Sequence, residues 1–580
     1  MNLIRAGHKV LAAFVLISLS SSAFGARYIV LMKNNEVFHQ IQMQSLLSTN
    51  LNLAQVSMMT SGNPVTPFVN NKAKVERSLD QIHAIIVNAD DDSSVAALMV
   101  SKHVVLVEKE IFHPAPKPVR GYALTQPWAF SLNYANHYIQ GAIQGVKTVG
   151  SGRQLMDDFV AGTGPKTPWG ILAVKAPAAW AKSNYGQGAR VAIVDTGIDK
   201  DHPALAANFE QGKDFVHDDN QPYEFADKVG HGSHCAGTIA GVQAADGFTG
   251  VAPQAKILSA RVCSEQGCSN IAVAEGIDWA IAQHVDVISM SLGGSEGSSA
   301  EQAAVQAADD AGIVVVAASG NDGTPQVGFP AAYSSVIAVG AVDSTLTKAN
   351  FSQWGPELAV VAPGVDVYSS VPQGMGRESR VNVTISGSTQ TLLSGPFQGS
   401  PEVPTPLVAD LVYAGLGQPE DFQKLDLSGK IALIQRGTIK FADKVKNAIA
   451  ANAVGVLIFN NESGLISGAL TDDGSIVVIP VAAIEQKAGQ SLVDAINAGG
   501  GVSGSIQTVA TDYAVYSGTS MATPHVAGVS LLLRAANKNL KGADVKSILK
   551  STAHPLEPND QNQTGSGMVD AEAAVNQAAQ

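Results

Sequence analysis

The chain has 580 residues, 45% hydrophobic, 15% charged and only 6% aromatic, with 56 glycines and a net charge of −13. That length exceeds a single core and points to three or four folded units, while the apolar content excludes a disordered chain. The acidic balance, with no run of lysines or arginines, excludes a basic stripe for nucleic acid and suits a soluble exported protein.

Residues 1–26 read as a signal peptide. Arg5, His8 and Lys9 precede an apolar run over 10–19, followed by small residues from Ser20 to Ala26. The run is too short for a stable span, and no later stretch reaches 18 uninterrupted apolar residues, so no membrane anchor is expected. Residues 27–31, 83–87 and 104–111 read as strands and 93–100 as a short helix, in one small unit assigned to 27–113. The APKPV stretch at 115–119 marks a linker, and 114–166 carries no readable pattern.

From Pro168 the chain alternates strand and helix. Residues 191–194, 257–262, 285–290, 313–317, 336–342 and 358–361 are β-branched apolar runs, as expected of strands buried on both faces of a parallel sheet. Helical spacing covers 270–283 and 299–310 between them. The pattern predicts an α/β fold with a doubly wound parallel sheet and chemistry at the carboxyl ends of its strands. This unit is assigned to 167–373 and 513–580. Residues 374–512 interrupt it with valine-rich strands and polar turns. There GKIALIQRG, the helical stretch FADKVKNAIAANA and GVLIFN resemble the protease-associated (PA) domain, which implies a β-rich insert.

Three cysteines fit an exported protein without a disulfide framework. Cys263 and Cys268 are near enough in sequence to close a small loop, and whether they are bridged is left open. Cys235 would then be left over as a buried small hydrophobe. No CxxC pair suggests a metal site.

Four stretches carry chemistry. VAIVDTGID ends a buried strand in Asp195; a single DTG argues against an aspartic protease, which needs two such loops to share a proton. GHGSHCAGTIAG places His231 and His234 at a helix start. A zinc pair or a capping histidine is the bland alternative, but HExxH is absent. VVVAASGND brings Asn321 to the end of a strand, where an asparagine is ordinarily a turn former but can donate to a developing oxyanion. YSGTSMATPHVAG carries Ser520 into a helix N-terminus, a place that favours negative charge beside the hydroxyl. Pro524 is expected to cost little early in that helix, where N–H groups lack intrahelical partners.

Taken in chain order, these stretches resemble the subtilisin-like serine proteases, in which Asp, His and Ser follow one another in that sequence. The resemblance implies a three-layer subtilisin-like fold. Ser520 would be the nucleophile, His231 the general base and then acid, and Asp195 the group that fixes the imidazole tautomer. Asn321 and the Ser520 backbone N–H would form the oxyanion hole. Ser291, Leu292, Gly293 and Gly294 would pair with the substrate backbone, and Gly293, Asp322 and Gly328 would border a pocket for a large apolar side chain.

The unit at 27–113 resembles the family's inhibitory propeptide, of ferredoxin-like α+β fold. This implies a secreted or periplasmic zymogen that cuts itself before TPWGILAVKAPAAW, which begins at Thr167, with the propeptide as a transient inhibitor. The PA insert is expected to flank the cleft and gate protein substrates. No cofactor is expected for the chemistry. Where many relatives bind calcium through Asp and Asn, this chain has Ala204 and Ala244, so that site looks lost and calcium elsewhere is left open. Protein or peptide substrates and a monomeric state are expected. A catalytically dead binding protein of the same fold and a narrow processing protease or ligase are the competing readings. The intact Asp, His, Ser and Asn set argues against the first, and a cleavage profile separates the second.

Overall fold

The computed structural model describes residues 26–33, 73–90, 92–99, 104–116, 167–216, 225–244, 247–462, 465–466, 468–471 and 475–580. The expected signal segment ahead of Ala26 and most of the expected linker, 117–166, lie outside them. The chain divides into two compact units, Met1–Glu110 and Ile111–Gln580.

In the first unit, β1 (Ala26–Met32), β2 (Ala73–Leu79), β3 (Ala84–Ala89) and β4 (Val104–Lys109) form an antiparallel sheet in the order β2-β3-β1-β4. A short helix, α1 (Ala96–Met99), stands before β4. Tyr28, Val30, Ile85, Val87, Val95 and Leu98 form its core. Strand β2 was not legible: its sequence, AKVERSL, is broken by charge. The strand expected over 104–111 ends at Lys109. Phe112–His113 forms a separate strand, β5, in the second unit.

The second unit is built on a seven-stranded parallel sheet. Its strands are β6 (Arg190–Asp195), β7 (Phe209–Asp214), β8 (Lys256–Arg261), β11 (Val287–Met290), β12 (Val314–Ala318), β13 (Ile337–Val342) and β14 (Leu358–Pro363). Their order is β14-β13-β12-β11-β6-β8-β7. Edge strand β7 was missed because FEQGKD is mostly polar. Between β8 and β11, the hairpin β9 (Cys263–Ser264) and β10 (Gly267–Ser269) sets Cys263 opposite Cys268, and the two are bridged. Strand β5 pairs antiparallel with β10.

The chain passes from β6 to the edge strand β7, comes back to β8 beside β6, and then crosses to the other side of β6 at β11. A crevice therefore opens at the carboxyl ends of β6 and β11, where ligands bind in such sheets. Helices α2 (His231–Ala240), α3 (Asn270–Ala282) and α4 (Ser299–Asp310) cover the sheet. Two further strands, β15 (Val367–Ser370) and, much later, β24 (Tyr513–Tyr516), pair antiparallel and lead in and out of the insert. Helix α5 (Thr519–Ala536) is buried from Thr519 to Leu533, so over that length it has no solvent face.

The insert starts with β16 (Gly376–Ile385), paired antiparallel along its whole length with β23 (Val502–Thr511), so entry and exit are zipped together. Between them lie β17 (Ser388–Leu392), β18 (Ser394–Pro396), β19 (Val403–Tyr413), β20 (Ile431–Gln435), β21 (Gly455–Phe459) and β22 (Val481–Ile484). Strands β19 to β22 run parallel. Ala432, Ile434, Val456 and Ile458 face one core, while Ile431, Leu433, Leu457 and Phe459 face the other. The helix Phe441–Ala450 packs Val445 and Ala448 on the first face. Period-two alternation thus gives this short sheet a core on each side. Among the described residues no helix is long and apolar enough to cross a membrane.

Candidate active site

Asp195 is the last residue of β6, and His231 is the first of α2. The Asp195 carboxylate Oδ1 lies 2.7 Å from His231 Nδ1 and accepts a second bond from the Thr196 N–H at 2.7 Å. Both side chains are buried. Close approach here depends on a glycine: a Cβ on Gly232 would stand 2.1 Å from the Gly197 carbonyl oxygen. Burial alone lowers the His231 pKa, but the charge and hydrogen bond of Asp195 outweigh it. The imidazole is held well above the ordinary histidine value. Its Nε2, on the far side of the ring, is buried without a hydrogen-bond partner.

Ser520 is the second residue of α5, capped by Gly518 at φ 155°. Its Oγ donates to the Ser291 carbonyl at 3.0 Å, so in this arrangement it is not bonded to His231. Pro524 departs from expectation. It is the sixth residue of the helix, beyond the first turn, and its missing N–H strands the carbonyl of Ser520. Two side chains take that bond instead: Ser291 Oγ–H at 2.8 Å and Cys235 Sγ at 3.6 Å. The proline thus frees a carbonyl through which β11 and α2 grip the backbone of Ser520.

Asn321 lies just beyond β12. Its Oδ1 accepts from the Thr519 N–H and Oγ1–H, both at 2.9 Å. That leaves Nδ2 to donate. Nδ2 is 3.5 Å, and the Ser520 backbone N 3.6 Å, from the spot where a Cβ on Gly518 would stand. Both nitrogens thus lie within 3.6 Å of one point beside Gly518.

Ser291, Leu292, Gly293 and Gly294 follow β11 directly. Ser291 and Leu292 are buried, and Gly294 exchanges both backbone bonds with Phe329 at 2.9 Å. Gly328 is buried and donates to the Ser319 carbonyl at 2.8 Å, whereas Asp322 is exposed.

The structure separates the two histidines of α2. His234 Nε2 reaches the carbonyls of Val367 (3.0 Å) and Ala514 (3.3 Å), and its ring stacks on Tyr516. It ties α2 to the stem of the insert. Burial, with the neighbouring His231 charge, lowers its pKa to about 3; burial lowers that of His525 to about 4. Both are neutral in the folded chain and ordinary in the unfolded one, so stability is full above about pH 6.5 and falls as pH drops below it. At about pH 4.5 each costs on the order of 2–3 kcal/mol. His234→Gln should flatten the dependence of unfolding free energy on pH between about 4 and 6.5 by one proton's worth. An unchanged slope in denaturant titrations would show that His234 is not the group being charged.

Three residues have contacts at the site that their sequence context does not announce. Cys235 is no mere filler, since its thiol lies 3.9 Å from His231 Nδ1 and touches the Ser520 carbonyl. Asp227, fully buried, accepts from Thr196 Oγ1 and from the N–H groups of Val229, Gly230 and Ser233, fixing the start of α2. Burial, only partly offset by these bonds, raises its pKa. A carboxylate just ahead of GHGSH was the available signal for this role. Ser291 Oγ is the third. Asp195, His231 and Cys235 also present metal-ligating atoms within 4.8 Å of one another, though the Asp195–His231 hydrogen bond already engages two of them. Ala204 and Ala244 offer no side-chain oxygen, and the Ala204 carbonyl accepts from the Val242 N–H.

The sequence profile of the Subtilase family matches residues 186–399 and 485–571, and that of the PA domain matches 403–492. Subtilisin E of Bacillus subtilis (strain 168) is 45% identical over 212 residues, 36% of this chain and 55% of that protein. A thermostable alkaline protease of Halalkalibacterium halodurans is 40% identical over 241 residues, 41% of this chain and 60% of that one. The chain thus spans little more than half the length of these relatives. The crystal structure of the psychrophilic subtilisin-like protease Apa1 from Pseudoalteromonas sp. AS-11 superposes with a TM-score of 0.55 at 29% identity. The match covers 71% of this chain and 99% of that one.

Proposed function

This chain belongs to the subtilase family, and from that premise we propose that it is a serine endopeptidase whose nucleophile is Ser520. The observation that carries this reading is that Asn321 Nδ2 and the Ser520 backbone N both lie within 3.6 Å of one point beside Gly518, at the start of the helix that carries Ser520. Donors fixed in advance around a point where negative charge develops are the largest single contribution to acyl-transfer catalysis. His231 Nε2 acts as base once the Ser520 hydroxyl rotates from the Ser291 carbonyl, and Asp195 holds the tautomer that leaves Nε2 able to accept. Such bonds are commonly formed only in the substrate complex. Ser291 to Gly294 bind substrate backbone, and Gly328 lines the adjoining pocket. The protein is exported and made as a zymogen, with 27–113 its inhibitory segment, 167–373 and 513–580 its catalytic domain, and 374–512 its PA insert.

A fluorophosphonate should label Ser520, located by mass mapping, and absence of label sinks the enzyme reading. Asn321→Leu should keep the label site but lower kcat by about 10²–10³ with little change in KM. A loss confined to KM would place Asn321 in substrate binding and not in the oxyanion hole.

A further inference from the structure

Residues 111–116 run along the cleft as an extended segment. The Ile111 N–H donates to Asn270 Oδ1 at 2.9 Å, and its carbonyl accepts from the Asn270 N–H at 3.0 Å. Phe112 and His113 then pair with Ser269 and Cys268 on β10. On the opposite side the segment meets Gly294, where an added Cβ would stand 2.7 Å from His113 Nδ1 and 3.5 Å from Pro114 Cδ. Gly294 lies three residues beyond Ser291, the partner of the Ser520 hydroxyl. The segment therefore lies as an added strand in a groove that leads toward Ser520.

One side chain of this strand is read closely. Phe112 is 61% exposed, whereas His113 is 3% exposed, and its Nε2 lies 2.8 and 3.0 Å from the two carboxylate oxygens of Glu301. Glu301 is 0% exposed and sits in the first turn of α4, whose cap Ser298 accepts its N–H. A carboxylate in so dry a place strongly favours a cation over an apolar side chain facing it.

We propose that Glu301 is a specificity-determining residue, selecting a protonated histidine at the substrate position that His113 fills. The segment 111–116 is then an internal occupant matched to that subsite. This rests on the protease reading above and adds to it a preference that its triad does not contain. Burial alone would lower the His113 pKa, but the hydrogen bond and charge of Glu301, with the charge of Glu296, outweigh it and raise it. Binding is therefore strongest below the free imidazole's pKa and is lost as pH rises through the raised value.

The test uses the hexapeptides Ile-Phe-His-Pro-Ala-Pro and Ile-Phe-Leu-Pro-Ala-Pro as inhibitors of hydrolysis of a fluorogenic peptide. The histidine peptide should bind wild-type protein about tenfold or more tightly than the leucine one. The difference should vanish in Glu301→Gln and shrink with rising pH. Equal inhibition of the wild type, or a preference that survives in Glu301→Gln, overturns the proposal. A second arm needs no turnover: hydrogen exchange over 111–116 in full-length Ser520→Ala protein. Protection should fall in Glu301→Gln and in His113→Leu, with no further fall when the two are combined. Unchanged protection overturns the proposal. Failure of the protease reading shows separately, as no hydrolysis and no fluorophosphonate label, and the exchange arm still judges the pair.

Discussion

Ser520→Ala protein should accumulate uncut, with residues 27–113 still joined to the chain, and should lose on the order of 10⁶ in kcat against protein substrates. The change removes one oxygen from the second residue of α5 and leaves its surroundings in place. Asn321 Nδ2 and the residue-520 N–H still lie beside Gly518, and Ser291 Oγ still holds the carbonyl freed by Pro524. The fold should survive, because the hydroxyl's bond to the Ser291 carbonyl is worth only about 1 kcal/mol net. A residual rate of about 10³ over water is expected from the oxyanion donors and binding alone. Intact mass of the purified protein and release of label from casein measure the two effects. Normal maturation of the variant expressed alone would end the self-processing claim, and retained casein hydrolysis would end the assignment of Ser520.

Asp195→Asn should cost about 10⁴ in kcat and also move the pH profile. In the native chain, burial pushes the His231 pKa down and the Asp195 carboxylate pulls it up by more. The base works only when neutral, so activity should rise with pH through that raised pKa, giving an alkaline working range. Asparagine removes the opposing charge but leaves the burial. The rising limb should therefore shift to lower pH, onto a plateau about 10⁴ lower. A limb that stays in place would show that Asp195 does not set the charge of His231.

Much of the site was legible because its chemistry sits where sequence patterns change. Asp195 ends an apolar strand, His231 and Ser520 open helices, and Asn321 follows a strand into a turn. The parallel sheet could be read from continuous apolar runs, since strands buried on both faces have no polar alternation to hide them. Strands β2 and β7 were not, because a strand rich in charge carries no burial signal in a single sequence. The PA insert was visible through its alternating strands, but the zipping of β16 to β23 was not, as a pairing across more than a hundred residues leaves no local trace.

The sequence by itself thus determined the α/β architecture, the insert and the order of the candidate site residues. Only the tertiary structure decided what holds them. In the sequence Pro524 is only an early-helix proline of little cost, yet its place in the helix creates the carbonyl that Ser291 and Cys235 grip. Asp227 fixes the start of α2, and Glu301 meets His113 across 188 positions of chain. These bonds join side chains distant in sequence, and their strength comes from burial and orientation, which exist only once the chain has packed.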